Sequence, residues 1–175
     1  QENVQRTITT GTVSEVICHT SQKVFQMRVH PSLDEEKKVI GAIIIFFDNT
    51  EFINAQEKLK TSDKRIRAII DSSPTLISLK DNVGKYLMAN QAFARQFGLG
   101  EEEIIGKTDR EIFPEQMAND VRDNDLEVLL KRKSSEKEEH FRYNNEDLIF
   151  LSNRFPLFNS SDRTPYAVGT VALNI

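Results

Sequence analysis

Few residues in this chain are of a type that could carry chemistry. Three histidines, His19, His30 and His140, are the candidate acid–base or metal-binding groups, and Cys18 is the only thiol. Each histidine falls in a stretch that reads as a strand, beside neighbours of exposed type. None stands near a Ser or Cys in a recognisable nucleophile motif, so all three are read as non-catalytic. One cysteine cannot close a disulfide within the chain, and it offers no metal-knuckle spacing. The acidic run Asp120-Val121-Arg122-Asp123-Asn124-Asp125 invites a calcium reading, but it lacks the turn glycine and the final glutamate of an EF-hand loop. It also falls within a predicted helix, where a solvated face is the expected reading. No Walker-type loop or dinucleotide fingerprint occurs. The expectation is no catalytic residue and no metal site, with any enzymatic activity lying outside these residues.

The elements that must position the side chains bound the function further. A length of 175 residues suits one ordinary domain with an appendage, or two small ones. The chain is 38% hydrophobic, enough for a core, and 29% charged with mixed sign. A net charge of −4 gives no reason to expect capture of nucleic acid or direct contact with an anionic membrane. The longest apolar run, residues 39–47, is interrupted by Gly41 and is too short for a bilayer. No signal-peptide pattern opens the sequence. A cytoplasmic setting is expected, compatible with a membrane-anchored parent.

Residues 24–30 alternate, with Phe25, Met27 and Val29 on one face and Gln26, Arg28 and His30 on the other, as in a half-buried strand. Residues 39–47 read as a strand covered on both faces. Residues 34–38 are a charged connection between them, and 13–20 supply a third strand. Three strands with no helix of their own close a poor core, so this region reads as part of something larger. At Glu51 the period changes. Phe52, Ala55, Leu59, Ser62, Ile66 and Ile69 recur at alternating steps of three and four, a heptad seam over residues 51–70. The seam fits a parallel two-helix coiled coil between subunits, or a single helix packed on its own domain.

Past Pro74, residues 76–80 and 86–89 read as a hairpin about Asp81-Asn82-Val83-Gly84. Asn90 caps a short helix that buries Phe93 and Phe97. A second short helix follows Gly100, and Thr108 with Glu111 forms a capping box. Pro114 opens a longer helix to about Lys131. Strands are predicted over 136–143, 147–158 and 165–174. Two strands, a helical cluster and three strands favour an α+β fold with an antiparallel sheet and the helices on one face.

Residues 66–175 resemble a PAS domain along their whole length. The marks occur in order: Arg67-Ala68-Ile69-Ile70-Asp71-Ser72-Ser73-Pro74 at the entry, and Lys80 to Tyr86 as the first hairpin. Asn90-Gln91-Ala92-Phe93 follows the second strand. Ile105-Gly106-Lys107-Thr108 comes next, with Ile112-Phe113-Pro114. Val168-Gly169 and Leu173-Asn174-Ile175 form the closing strand. The resemblance implies a five-stranded antiparallel sheet with short helices on one face. Residues 1–50 resemble the last third of another such domain, ending on the family's Asp-Ile-Thr exit, with Asn49 in place of the Ile between Asp48 and Thr50. The domain division is therefore 1–50, a connecting helix over 51–70, and 71–175.

The resemblance implies a sensory module of a multi-domain signalling protein, a sensor histidine kinase first and a diguanylate cyclase (GGDEF protein) next. Asp48, Thr50, Leu59 and Ile66 are the expected relay residues, and a homodimer through the 51–70 helix and PAS surfaces is the expected partner. The family's flavin branch uses a Cys on the helical side and its haem branch a His on the long helix; neither is present here, which speaks against both cofactors. An apolar cavity between sheet and helices is the expected ligand site, lined by Ile77, Met88, Phe93, Met117, Val121, Leu151 and Val168. Ser152, Asn153 or Arg154 would orient a small molecule. The same residues also fit plain core, in which case the module dimerises or docks a partner with its interior filled.

Overall fold

The alternating segment 24–30 becomes the middle of a three-stranded antiparallel sheet in the computed structural model of the chain, which describes residues 2–20 and 23–175. Gln1, at the head of the 1–50 piece, and Ser21 and Gln22 lie outside the described residues. The chain divides into two units, residues 1–64 and 65–175, with the boundary inside its longest helix.

The first unit runs α1 (Glu2–Thr10), β1 (Ser14–His19), β2 (Val24–Leu33) and β3 (Val39–Asp48), with strand order β1-β2-β3. β2 continues past His30 through Pro31, beside a register shift at Ser32 and Leu33 where a missing ladder donor costs least. Asp34 shapes the following turn, its Oδ1 accepting from the backbone N–H groups of Glu36 and Lys38 at 3.0 and 2.8 Å. Two expectations fail here. The sheet does have a helix of its own, since α1 packs against all three strands. Its one fully buried residue is Thr7, whose hydroxyl donates to Ser14 Oγ at 2.8 Å, so no apolar stripe announced it. The run 39–47 is not covered on both faces either. Ile40 is 66% and Phe46 62% exposed, because no strand pairs with the outer edge of β3 among the described residues and α1 is too short to shield it.

α2 (Thr50–Ser72) leaves β3 through Asp48, whose Oδ1 accepts from the Thr50 hydroxyl at 2.5 Å and the Thr50 N–H at 3.2 Å. Lys23 Nζ holds the other oxygen at 2.9 Å, and Thr50 Oγ1 accepts from the Val24 N–H. The helix has no buried residue; Phe52, Leu59, Ile66 and Ile69 are all more than half exposed.

The second unit has β4 (Leu76–Asp81), β5 (Tyr86–Ala89), α3 (Gln91–Phe97), α4 (Glu101–Ile104), α5 (Asp109–Ile112), α6 (Glu115–Lys131), β6 (Ser135–Tyr143), β7 (Glu146–Phe158) and β8 (Pro165–Asn174). All pairings are antiparallel, in the order β5-β4-β8-β7-β6. Asn90 caps α3, and Gly98 ends it at φ 67°, a left-handed position that glycine adopts without penalty. Thr108 starts α5 by donating its N–H and hydroxyl to Glu111 Oε2 at 2.7 and 2.9 Å. One face of the sheet is buried under the helices. The core is aromatic: Phe93, Phe97, Phe113 and Tyr143 meet edge-on or tilted, the Phe97–Phe113 centroids 4.8 Å apart.

Candidate functional site

Strand parity places the site. On β4 the inward residues are Leu76, Ser78 and Lys80; on β6, Glu139 and Phe141; on β7, Leu148, Phe150, Ser152 and Arg154. Each strand thus turns from apolar to polar along its inner face, and the polar parts meet α5 and α6. The result is a buried ionic cluster. Lys80 Nζ donates to both oxygens of Asp109 at 2.8 Å and to Asp125 Oδ2 at 2.7 Å. Tyr86 OH donates to Asp109 Oδ1 at 2.8 Å. Arg154 Nε donates to Asp125 Oδ1 at 3.0 Å, and its Nη1 pairs with Glu139 Oε1 at 2.8 Å. Asn124 Nδ2 also donates to that Glu139 oxygen, at 2.6 Å.

Charges taken out of water are stable only when paired and hydrogen-bonded, and the cluster supplies both to Lys80, Arg154, Asp109 and Asp125. Burial, then the Asp109 carboxylate, pushes the Tyr86 phenol well above its ordinary range, so Tyr86 acts as a fixed donor. Burial works to lower the Arg154 pKa, but the Glu139 and Asp125 carboxylates outweigh it and raise the value overall. Arg154 is a permanent cation.

Between this cluster and the aromatic core lies a cavity of about 50 Å³. Its apolar wall includes Phe93, Phe97, Met117, Val121 and Phe150; its polar wall includes Ser78, Lys80, Glu139, Ser152, Arg154 and Thr170. Of the expected lining residues, Phe93, Met117, Val121, Ser152 and Arg154 are brought together. Ile77, Met88 and Leu151 are corrections: none lines the cavity. Ile77 and Leu151 take the outer parity of β4 and β7, opposite Leu76 and Ser152, and Leu151 is 40% exposed. Met88 is half-buried on the short edge strand β5. Asn153 is likewise outward and exposed. Val168 is buried opposite Lys80 on the inner face but does not reach the cavity.

Sequence reasoning missed Lys80, Asp109, Asp125 and Glu139. The acidic run is not simply a solvated face, because Asp125 is fully buried while Asp120 and Asp123 are exposed. His140 lies on the exposed face of β6, with Nε2 2.9 Å from Glu138 Oε1.

A second constellation ties the sheet to the incoming helix. Asn90 is almost wholly buried. Its Nδ2 donates to the carbonyls of Ile70, in the last turn of α2, and Thr75, while its Oδ1 accepts from the N–H groups of Ile77 and Phe93. One amide thus fixes the end of α2, the start of β4 and the cap of α3.

Comparison with known proteins matches these features. The family described as the PAS fold matches residues 70–172. The methanogenesis regulatory histidine kinase FilI of Methanothrix harundinacea is 33% identical over 82 residues, 47% of this chain and 9% of that protein. The virulence sensor protein BvgS of Bordetella bronchiseptica is 35% identical over 92 residues, 50% of this chain and 7% of that protein. The chain therefore spans less than a tenth of the length of either relative. Among solved structures, the PAS domain of an HTR-like protein from Haloarcula marismortui superposes with a TM-score of 0.56 at 18% identity, over 70% of this chain and 98% of that one. Among the described residues, no helix is long and apolar enough to cross a membrane.

Proposed function

The chain belongs to the PAS family, and from that premise we propose that it is the sensory and relay segment of a larger sensor histidine kinase. The named relatives are sensor proteins, one of them a histidine kinase by name, which favours a kinase over a cyclase as the output. The observation that carries the reading is α2. It leaves β3 through the Asp48–Thr50 junction, runs for 23 residues with an uncovered apolar seam, and ends in the grip of Asn90. A helix fastened at each end to a sheet-bearing unit transmits a rotation or register change better than it dissipates one.

The seam supports pairing with a second copy of α2, and Leu59 and Ile66 would lie at its centre. Residues 1–50 are the closing part of an upstream PAS domain in this reading. The order α1-β1-β2-β3 repeats the order α6-β6-β7-β8, a helix and then three antiparallel strands with the second in the middle. The small cavity supports a second reading of the interior. At about 50 Å³ it is far below the several hundred typical of ligand pockets. The module then responds to a very small ligand or works through surface contacts with its core filled.

The test is sedimentation of the chain beside a Leu59→Asp, Ile66→Asp double variant. A dimer for the parent and a monomer for the variant, with the second unit's near-ultraviolet spectrum unchanged, is the expected result. An oligomeric state indifferent to both substitutions would remove the main support for the relay.

A further inference from the structure

The buried charges beside the cavity do not balance. Lys80 and Arg154 supply two positive charges against the three carboxylates of Asp109, Asp125 and Glu139, all of them buried. The other cations nearby are only half-buried: Lys137 is spent on Glu127 and Asn124 Oδ1, and Arg122, which shares a pocket with Asp109, donates to the Asn82 carbonyl. The deficit falls at one atom. Both oxygens of Asp109 and both of Asp125 accept from Lys80, Arg154 or Tyr86. Glu139 takes both its donors, Asn124 and Arg154, on Oε1, and its Oε2 is sealed from solvent with no hydrogen-bond partner among the described residues. An unpartnered buried carboxylate oxygen is expensive to keep.

Glu139 also lines the cavity, and a modest turn about its last torsion, which carries Oε1 along with it, would present Oε2 there. The same lining holds the rings of Phe93, Phe97 and Phe150, of a kind that attracts cations, and also Lys80 and Arg154, whose charges are engaged by Asp109, Asp125 and Glu139. Ser152 and Thr170 bring hydroxyl acceptors to the same lining. Since a water in the liquid takes up about 30 Å³, a space of about 50 Å³ admits a molecule of roughly two heavy atoms.

We propose that the cavity binds a short primary amine in its ammonium form, which donates to Glu139 Oε2, supplies the missing positive charge and lays its carbon against the aromatic wall. The inference rests on reading the interior as the sensing site of the module, and it gives that site a chemical class. A carboxylate of the same size would bring a fourth negative charge, and a neutral alcohol would leave the charge deficit in place.

The experiment titrates the full chain with methylammonium chloride at neutral pH against sodium chloride at matched ionic strength. Melting temperature and the methyl signal of carbon-13-labelled methylammonium are followed, with acetate and methanol as controls. Saturable stabilisation and a bound methyl signal for methylammonium alone are expected. Glu139→Gln should weaken binding roughly tenfold or more, the worth of one charge-assisted hydrogen bond. Val121→Ile, which adds a methylene to the lining, should weaken it without touching a charge, and it decides the matter if the Glu139 variant fails to fold. The proposal is overturned if methylammonium does no more than sodium, if acetate or methanol binds as well, if the cavity proves to hold water only, or if binding survives in folded Glu139→Gln. Any of these leaves the relay reading standing, because the oligomeric state of the Leu59→Asp, Ile66→Asp variant does not depend on the cavity.

Discussion

β3 and β8 are strands of equal length that face opposite circumstances. β8 pairs with β7 on one edge and β4 on the other, and its inner residues Val168 and Ala172 are buried under the helices. β3 is the more apolar of the two by sequence, yet among the described residues it pairs with β2 alone and leaves Ile40, Ile43, Ile44, Ile45, Phe46 and Phe47 exposed. Composition thus does not make a core; the second neighbour and the covering layer do. A long apolar edge also invites pairing with another strand, so β3 is the part of the chain most in need of a partner.

The sharpest way to break the contrast is to remove a buried charge from the second unit, since no charged residue of the first is buried among the described residues. Asp125→Ala strips Lys80 and Arg154 of a shared partner inside the core. A loss of about 3–5 kcal/mol is expected, the cost of orphaning buried charges. Urea unfolding with segment-resolved hydrogen exchange should show residues 65–175 losing protection while β1, β2 and β3 keep theirs. Equal loss in both would mean that the units do not unfold separately. A second comparison deletes the same atoms twice. Ile104 is 1% exposed and Ile43 56%. Ile104→Ala should cost about 2–5 kcal/mol and Ile43→Ala less than about 0.5. A large cost at Ile43 would show that β3 is covered in solution.

A smaller effect is expected at Asn90, which belongs to neither strand but ends α2. Asn90→Ala abandons two N–H groups and two carbonyls, at a cost of about 1–3 kcal/mol. Hydrogen exchange at Ile77 and Phe93 should rise with it, and unchanged protection at both amides would refute the clamp.

Much of this was legible in the residues because period and punctuation agree. The hairpin at Asp81 to Gly84, the Asn90 cap and the Thr108–Glu111 pair each announce themselves locally, and the five strands of the second sheet fall within a residue of their expected ends. The failures have physical causes. α1 buries a threonine, which no hydropathy pattern marks. The exposure of β3 depends on what pairs with its edge, a non-local fact. On β7 both parities are apolar from Leu148 to Leu151, so the inward set could not be chosen there. Only the continuation to Ser152 and Arg154, partnered from distant Asp125 and Glu139, settles it. Lys80 and Asp125 are of exposed type and become core because each finds the other 45 positions away.

The mildest test concerns how β3 ends. Hydrogen bonds from the Thr50 hydroxyl, from Lys23 and from the Thr50 N–H pull the Asp48 carboxyl from its ordinary 3.8 down to about 2. β8 ends instead near a neutral amide contact between Asn174 and Gln96. A carboxyl depressed in the folded state contributes stability that is fully present above its unfolded pKa and is lost as pH falls through the folded one. The junction should therefore hold down to about pH 4 and loosen between there and pH 2. A carbon-13 titration of the Asp48 carboxyl should give a midpoint near 2, and the start of α2 should fray over the same range. Asp48→Asn should remove that dependence while leaving the end of β8 unchanged. A midpoint at the ordinary aspartate value would mean that the Asp48–Thr50 junction is not held in solution, and the first anchor of the relay helix would be lost with it.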